Sequence, residues 1–269
     1  APNLSVGVGV NVQYIEATLT QAVNQALLCQ AGGGGAACAA LPDAIAEIEG
    51  DDWSFGYNFG LMYDVAPGTR IGFAYRSKIK QELEGDASFA NAHGSFTGVG
   101  LLVPTSVTAD VTLPESASLS LYHDINDRWA ILADATWTRW SRFQELRVEF
   151  ASAQEDSMTE EDWDNSMRYA LGVNYRHNSA WLLRAGVAFD EEPIPNAERR
   201  TPRIPGNDRT WVAIGANYRY SDALSFDLGY AHLFVDDTAI DHTDENGFTL
   251  TGEYENTVNI LSAQVNWTF

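Results

Sequence analysis

The sequence has no apolar run approaching the roughly 20 residues that a membrane-crossing helix requires, and its mean hydropathy is slightly negative at -0.21. A helical membrane protein is therefore excluded. Positive charge is also scarce, with 16 Lys and Arg against 37 Asp and Glu and a formal charge of -21. Phosphate contacts need a basic face that such a chain lacks, which argues against a nucleic-acid partner. The Gly32–Gly35 run is not followed by the Lys-Ser/Thr of a phosphate-binding loop. No Cys/His spacing suits a metal, no Ser/His arrangement suggests a hydrolase, and neither a cofactor nor a metal is expected. No leader peptide is visible at Ala1, so the sequence reads as mature or truncated. There are only two cysteines, Cys29 and Cys38, close together in one segment. In an oxidising compartment they are expected to be bonded, the alternative being a reduced pair.

What is abundant is alternation. Val6, Val8, Val10, Val12 and Tyr14 oppose Gly7, Gly9, Asn11 and Gln13; Phe55, Tyr57, Phe59, Leu61 and Tyr63 oppose Gly56, Asn58, Gly60 and Asp64. Val212, Ile214, Ala216 and Tyr218 oppose Ala213, Gly215, Asn217 and Arg219, and Leu224, Phe226, Leu228 and Tyr230 oppose Ser225, Asp227 and Gly229. Period two marks strands with two unlike faces. Ten are predicted, near 4–18, 53–65, 70–83, 106–124, 128–148, 166–176, 181–190, 209–220, 224–235 and 256–269.

A soluble sandwich alternates too, and the connections decide between them. Those near 66–69, 125–127, 177–180 and 221–223 are tight turns rich in Pro, Gly, Asn, Asp and Ser, whereas those near 19–52, 84–105, 149–165, 191–208 and 236–255 are long. Short and long alternate along the chain, as in an antiparallel transmembrane β-barrel with short periplasmic turns and long extracellular loops. Trp53, Trp129, Trp137, Trp140, Trp181, Trp211 and Trp267, with Tyr63, are candidates for interfacial girdles, ordinary packing being the alternative for each. Leu261, Ala263, Val265, Trp267 and Phe269 share a face and end the chain on an aromatic, resembling the signal read by the barrel-assembly machinery. That places both termini on the periplasmic side. The expectation is one all-β outer-membrane domain over 1–269, with a helical extracellular loop at about 19–52.

Three stretches carry a family resemblance: SFGYNFGLMYDVAPGTRIGFAYRSKIKQELEGDASF at 54–89, LPESASLSLYHDINDRWAILADATWTRWSRFQELRVEF at 113–150, and PIPNAERRTPRIPGNDRTWVAIGANYRYSDALSFDLGYAHLFV at 193–235. They resemble the FadL-type long-chain fatty acid transporters of Gram-negative outer membranes, from about residue 4 to Phe269. The resemblance implies a fourteen-stranded barrel plugged by an N-terminal hatch, a hydrophobic groove on extracellular loops, an internal higher-affinity site and lateral exit through the wall. The ten predicted strands match the last ten of the family. The hatch and first four strands have no counterpart, so the chain is expected to be N-terminally incomplete.

Within this frame the loop at 19–52 is the candidate capture site. Thr20 to Leu28 is predicted as an amphipathic helix with Ala22, Val23, Ala26 and Leu27 on one side, and a second helix is predicted to begin near Pro42. Val23, Leu27, Leu28, Leu41, Ile45 and Ile48 would form its apolar surface; helices packed only on each other are the alternative. The inward face carries Arg76, Arg168, Arg176, Arg184 and Arg219 with Asp64, Asp134, Asp190 and Asp227. These form either a satisfied ion-pair lattice or, at Arg76, Lys78, Arg168 or Arg184, and similarly Lys80, a seat for a fatty-acid carboxylate, which a guanidinium fork matches. The expected activity is passive, ligand-gated passage of long-chain fatty acids, with outer-membrane lipid and lipopolysaccharide around the barrel. Uptake of monoaromatic hydrocarbons is the alternative within the family. An outer-membrane protease is the alternative of another class, resting on Asp236, Asp237, Asp241 and His242. The acidic loops are read as solvated surface, with divalent-cation bridging of lipopolysaccharide as the other reading.

Overall fold

A computed structural model of the chain describes residues 3–244 and 247–268. It is built almost wholly of strands: β1 (Leu4–Val23), β2 (Ala44–Ala66), β3 (Thr69–Arg76), β4 (Ile79–Ala90), β5 (Thr105–Leu113), β6 (Ser116–Asp124), β7 (Trp129–Thr138), β8 (Glu145–Phe150), β9 (Ser157–Glu160), β10 (Ser166–Arg176), β11 (Trp181–Asp190), β12 (Arg209–Arg219), β13 (Leu224–Val235), β14 (Thr238–Thr243), β15 (Thr249–Tyr254) and β16 (Thr257–Trp267). Fourteen of them form one sheet, and β14 with β15 forms a separate hairpin. No described helix is long and apolar enough to cross a membrane.

The large sheet has two storeys. The lower is a wall in the order β1-β2-β3-β6-β7-β10-β11-β12-β13-β16, antiparallel throughout. The upper is an extension in which β2 exchanges its partner β3 for β4, followed by β5, β8 and β9. Among the described residues no ladder joins β1 to β16, so the wall is an open sheet and not a closed barrel.

Three predicted strands are thereby divided. The segment 70–83 is β3 and β4, 106–124 is β5 and β6, and 128–148 is β7 and β8. Alternation runs on across each break because both storeys keep an apolar and a polar face. Only the partner changes, and period two does not report partners. The predicted strand starting near 53 begins at Ala44, and β1 runs on to Val23, because above the aromatic residues the outward positions turn acidic without losing their period. The helix expected near Pro42 is absent: Ala44, Ala46 and Ile48 lie on one face of β2 and Ile45 on the other. Of the helix expected at Thr20–Leu28, Thr20–Val23 is the end of β1 and only the later part is helical, as α1 (Gln25–Ala31), started by Asn24, whose side chain accepts from Leu27 N–H.

The outward face records the bilayer. On β1 the exposed positions run Leu4, Val6, Val8, Val10, Val12 and Tyr14, then turn to Glu16; on β2 they run Tyr63, Tyr57, Phe55 and Trp53, with Phe59 half-buried among them, then turn to Asp51. Tyr14 and Trp53 are register partners with rings 5.0 Å apart. At the opposite end, by the short turns, Trp129 packs on Tyr175 at 4.5 Å and Trp181 on Tyr218 at 4.7 Å. About ten residues between the two levels, at ~3.4 Å each and tilted near 45°, span roughly the ~25 Å apolar band of an outer-membrane wall. Phe269 lies outside the described residues.

Candidate functional site

Above the apolar band, the extension has a charged outer face and an apolar inner one. The inner face borders a hollow of about 530 Å3. Leu19, Val23, Ala46 and Ile48 of β1 and β2 line it from one side, Phe89 of β4 and Leu146, Val148 and Phe150 of β8 from another, and Leu27 and Leu28 of α1 with Leu101 and Leu102 complete it. Glu155, Asp156, Arg203, Asp244 and Phe248 also line it. The volume falls within the range of small-molecule sites, about 300–1,000 Å3, which are mainly apolar with few polar groups.

The sequence explains how the loops are held there. Gln25 is fully buried at the start of α1; its Nε2 donates to the carbonyls of Pro42 and Asn91, and its Oε1 accepts from the His93 N–H. One amide thus ties the connection at 24–43 to that at 91–104. Cys29 and Cys38 are bonded, with Cα atoms 5.4 Å apart, fastening α1 to the following 3-10 helix. Gly34 is required there, because a Cβ would lie 2.5 Å from Cys38 Sγ and 2.6 Å from Cys29 Sγ. Beneath them Ala44, Phe96 and Leu102 form a small core, with Val23, Cys29 and Leu41 packed against it.

Of the six residues expected to form the apolar surface, the structure brings Val23, Leu27, Leu28 and Ile48 into the hollow. Leu41 packs into the core below and does not line it. Ile45 faces away, 47% exposed on the outer side of β2, because it sits one residue out of phase with Ala44 and Ala46. Ile45 differs because a helical period was assigned to a stretch that is strand, and Leu41 because it caps the 3-10 helix that precedes that strand. The residues from β4 and β8 were missed, since nothing local shows which distant strands the extension assembles.

Inside the wall, register places Arg76, Arg168, Arg176, Arg184 and Arg219 on the inward face. Two of them carry ion-pair partners, Arg184–Asp227 at 2.9 Å and Arg176–Asp124 at 2.9 Å, as do Arg209–Asp190 at 2.9 Å and Arg70–Asp64 at 2.7 Å. Asp134 accepts from Thr136. Arg168 lies over the Trp211 ring, 5.2 Å from its centroid, with its Nε and the Trp211 Nε1 buried and unpartnered. Both border a second hollow of about 440 Å3, lined with Gly72, Ala170, Gly172, Gly186 and Ala188. Arg76 makes no hydrogen bond or ion pair among the described residues and borders a further recess with Asn58 and Ser116. Lys78 is exposed in the link between β3 and β4, off the wall strands. Lys80 points to the outer face of the extension, paired with Glu82 at 2.6 Å and Asp110 at 2.9 Å.

The connection 191–208 crosses above this region. Arg200, nearly fully buried, donates from Nε to Gly206 O, from Nη1 to Ala239 O and from Nη2 to Glu192 at 2.7 Å. Burial pushes the Glu192 carboxyl above the usual carboxylate range, the Arg200 bond pulling the other way. Glu161 is likewise raised by burial, opposed by a hydrogen bond from Trp163 Nε1. The acidic cluster that could suggest a protease is dispersed in bonding: Asp241 accepts from Thr251, and the His242 ring contacts Glu198 O.

An open wall with an aromatic-bounded apolar band, continued upward into an apolar hollow, is the background for comparison with known proteins. The family described as outer membrane protein transport protein (OMPP1/FadL/TodX) matches residues 1–269. The chain belongs to this family. It is 33% identical over 201 residues to a long-chain fatty acid transport protein of Escherichia coli O6:H1, covering 71% of the chain and 45% of the relative. It is 35% identical over 207 residues to a 47 kDa outer membrane protein of Pasteurella multocida, covering 72% and 47%. A crystal structure of a Pseudomonas aeruginosa FadL homologue superposes with a TM-score of 0.88 at 28% identity, covering 99% of this chain and 65% of that one. The Ralstonia pickettii toluene transporter TbuX shares the fold, with a TM-score of 0.68 at 18% identity. The chain spans about half the length of the curated relatives it matches. By its description, the family is one of outer-membrane transport proteins.

Proposed function

We propose that the complete protein carries long-chain fatty acids across the outer membrane by passive, ligand-gated diffusion, with the hollow above the wall as the site of first capture. The carrying observation is the hollow itself. Leu19, Val23, Leu27, Leu28, Ile48 and Phe150 converge at the end of the molecule that bears the long connections. In this reading that end is extracellular, the short turns and both termini are periplasmic, and the whole chain is one domain that supplies ten strands to the barrel of the complete protein.

Burying an alkyl tail in such a hollow contributes about 0.8 kcal/mol per methylene, so a long chain gains more than a small ring. The ligand then passes inward, where Arg168 over Trp211 and the unpaired Arg76 are the groups able to receive a carboxylate. Arg184 is occupied by Asp227, and Lys78 stands at the upper bend. Relatives named as long-chain fatty acid transport proteins, at 32–33% identity, support this substrate class. The monoaromatic alternative is favoured by one feature, the hollow beside Trp211 walled by glycine and alanine, which suits a flat ring.

The test is uptake of labelled oleate and labelled toluene by cells lacking their own transporter and expressing the full-length protein. Oleate uptake is expected. Gain of toluene uptake with oleate unchanged would overturn the fatty-acid reading.

A further inference from the structure

Among the residues lining the capture hollow there is a single cation, Arg203. In a chain of charge -21 this is conspicuous, and its surroundings show how it is held. Thr201 to Ile204 form a turn closed by Ile204 N–H to Thr201 O at 3.1 Å, with Pro202 at its second position and Arg203 at its third. Proline there presets the backbone for a turn and lowers the entropy lost in holding it. Pro205 follows directly, and its carbonyl accepts from Asn256 Nδ2 at 2.9 Å. Beneath the turn Thr201 is fully buried, and Arg200 anchors the segment to Glu192, Gly206 and Ala239. Two neighbouring arginines thus have opposite fates. Arg200 is consumed as a clasp, while Arg203 is exposed and makes no hydrogen bond or ion pair among the described residues.

We infer that Arg203 is the specificity-determining residue of the capture step, receiving the carboxylate of an acidic amphiphile whose tail lies against Leu27, Leu28 and Ile48. This rests on the reading of the hollow as the capture site. The other charged residues lining the hollow are acids. Asp156 already faces Arg147 at 3.7 Å, and Asp244 accepts from Phe248 N–H. With Glu155 they make a carboxylate headgroup unwelcome everywhere along the lining except at Arg203, and so fix which way the ligand lies. A neutral hydrocarbon gains nothing from this arrangement, so one cation on a fixed backbone turn and an acidic rim together sort acids from hydrocarbons before entry. A guanidinium suits the task because its planar fork matches a carboxylate with two parallel hydrogen bonds.

The experiment uses the full-length protein in detergent and measures binding of oleate and of oleyl alcohol by displacement of a fluorescent probe. Arg203→Gln is expected to weaken oleate about fivefold, the upper end for a solvent-exposed ion pair, and to leave oleyl alcohol unchanged. Arg203→Lys should recover part of the loss, and raised salt should reduce the wild-type preference for the acid. Leu27→Asp should weaken both ligands, which tests the hollow separately. If Leu27→Asp weakens both but Arg203→Gln moves neither, or both equally, the inference about Arg203 is wrong and the hollow stands. If Leu27→Asp moves neither, the capture reading fails with it.

Discussion

Replacing Ile214 with arginine tests the assignment of outward and inward faces most directly. Ile214 lies at the middle of β12, 61% exposed, with Ala185 and Tyr230 as register partners. Four residues separate it from Tyr218, whose ring packs on Trp181 near the short-turn boundary. At ~3.4 Å per residue and a tilt near 45°, it sits about 10 Å above that boundary, close to the midplane of a ~25 Å band. A cation there has no water and no partner, and about 2–4 kcal/mol of folding free energy should be lost. Ala213, its chain neighbour, faces the other way beside Gly186 and Ala231. Ala213→Arg points to the inward side, where it also borders a recess lined by Arg184, Asp227 and Gln264, and should cost less than Ile214→Arg. Urea titration of the full-length protein in phospholipid vesicles, read by Trp fluorescence, gives both values. Equal costs, or a greater cost at Ala213, would refute the assignment of faces and with it the membrane placement of every strand.

Other expectations follow from particular groups. Glu161→Gln should stabilise the protein at neutral pH: burial raises the folded-state pKa, so the carboxyl's favourable contribution exists only at low pH and is lost as pH rises through that value. A Tm difference between variant and wild type that fails to shrink on acidification would contradict this. Gln25→Leu leaves the Pro42 and Asn91 carbonyls and the His93 N–H without their side-chain partner, so limited proteolysis should cut near residues 24–43 first, with the wall intact. Replacing Cys29 and Cys38 by serine removes a closed segment worth about 2–3 kcal/mol in the chain-entropy account; the effect should be confined to hydrogen exchange in α1 and its neighbours, and mass mapping without reductant should show no free thiol in the native protein.

The wall was legible in the sequence to the extent that its physics is local. Val6 to Tyr14 and Phe55 to Tyr63 alternate because one face meets lipid and the other does not, and the turns at 67–68 and 221–223 are spelled by Pro, Gly, Ser and Asp. Arg184 and Asp227 were both assigned to the inward face, and the register sets them 2.9 Å apart. What stayed hidden was non-local. Nothing in Ile79 to Ala90 says that its partner is the top of β2 and not the top of β3's own neighbour, and Pro114 alone marks one of the three breaks. Ile45 and Ile48 suggested a helix because a three-residue spacing is shared by helices and by two faces of a strand. Arg203 was invisible as a site residue because its meaning depends on Arg200 lying buried beneath it and on a hollow assembled from β1, β2, β4 and β8.

The change of storey also bears on how such a protein diversifies. Arg76 and Ser116 are register partners, as are Ser116 and Thr138, and Thr138 and Ser166. The excursion through β4 and β5, and that through β8 and β9, therefore each leave the wall and return to it on one rung. Insertions and deletions are tolerated where the two ends of a segment already lie side by side. Each excursion is in effect a cassette, clipped between two adjacent staves. Lineages can exchange or remodel the upper storey, and with it the chemistry of what is captured, while the wall below keeps its strand count, register and thickness.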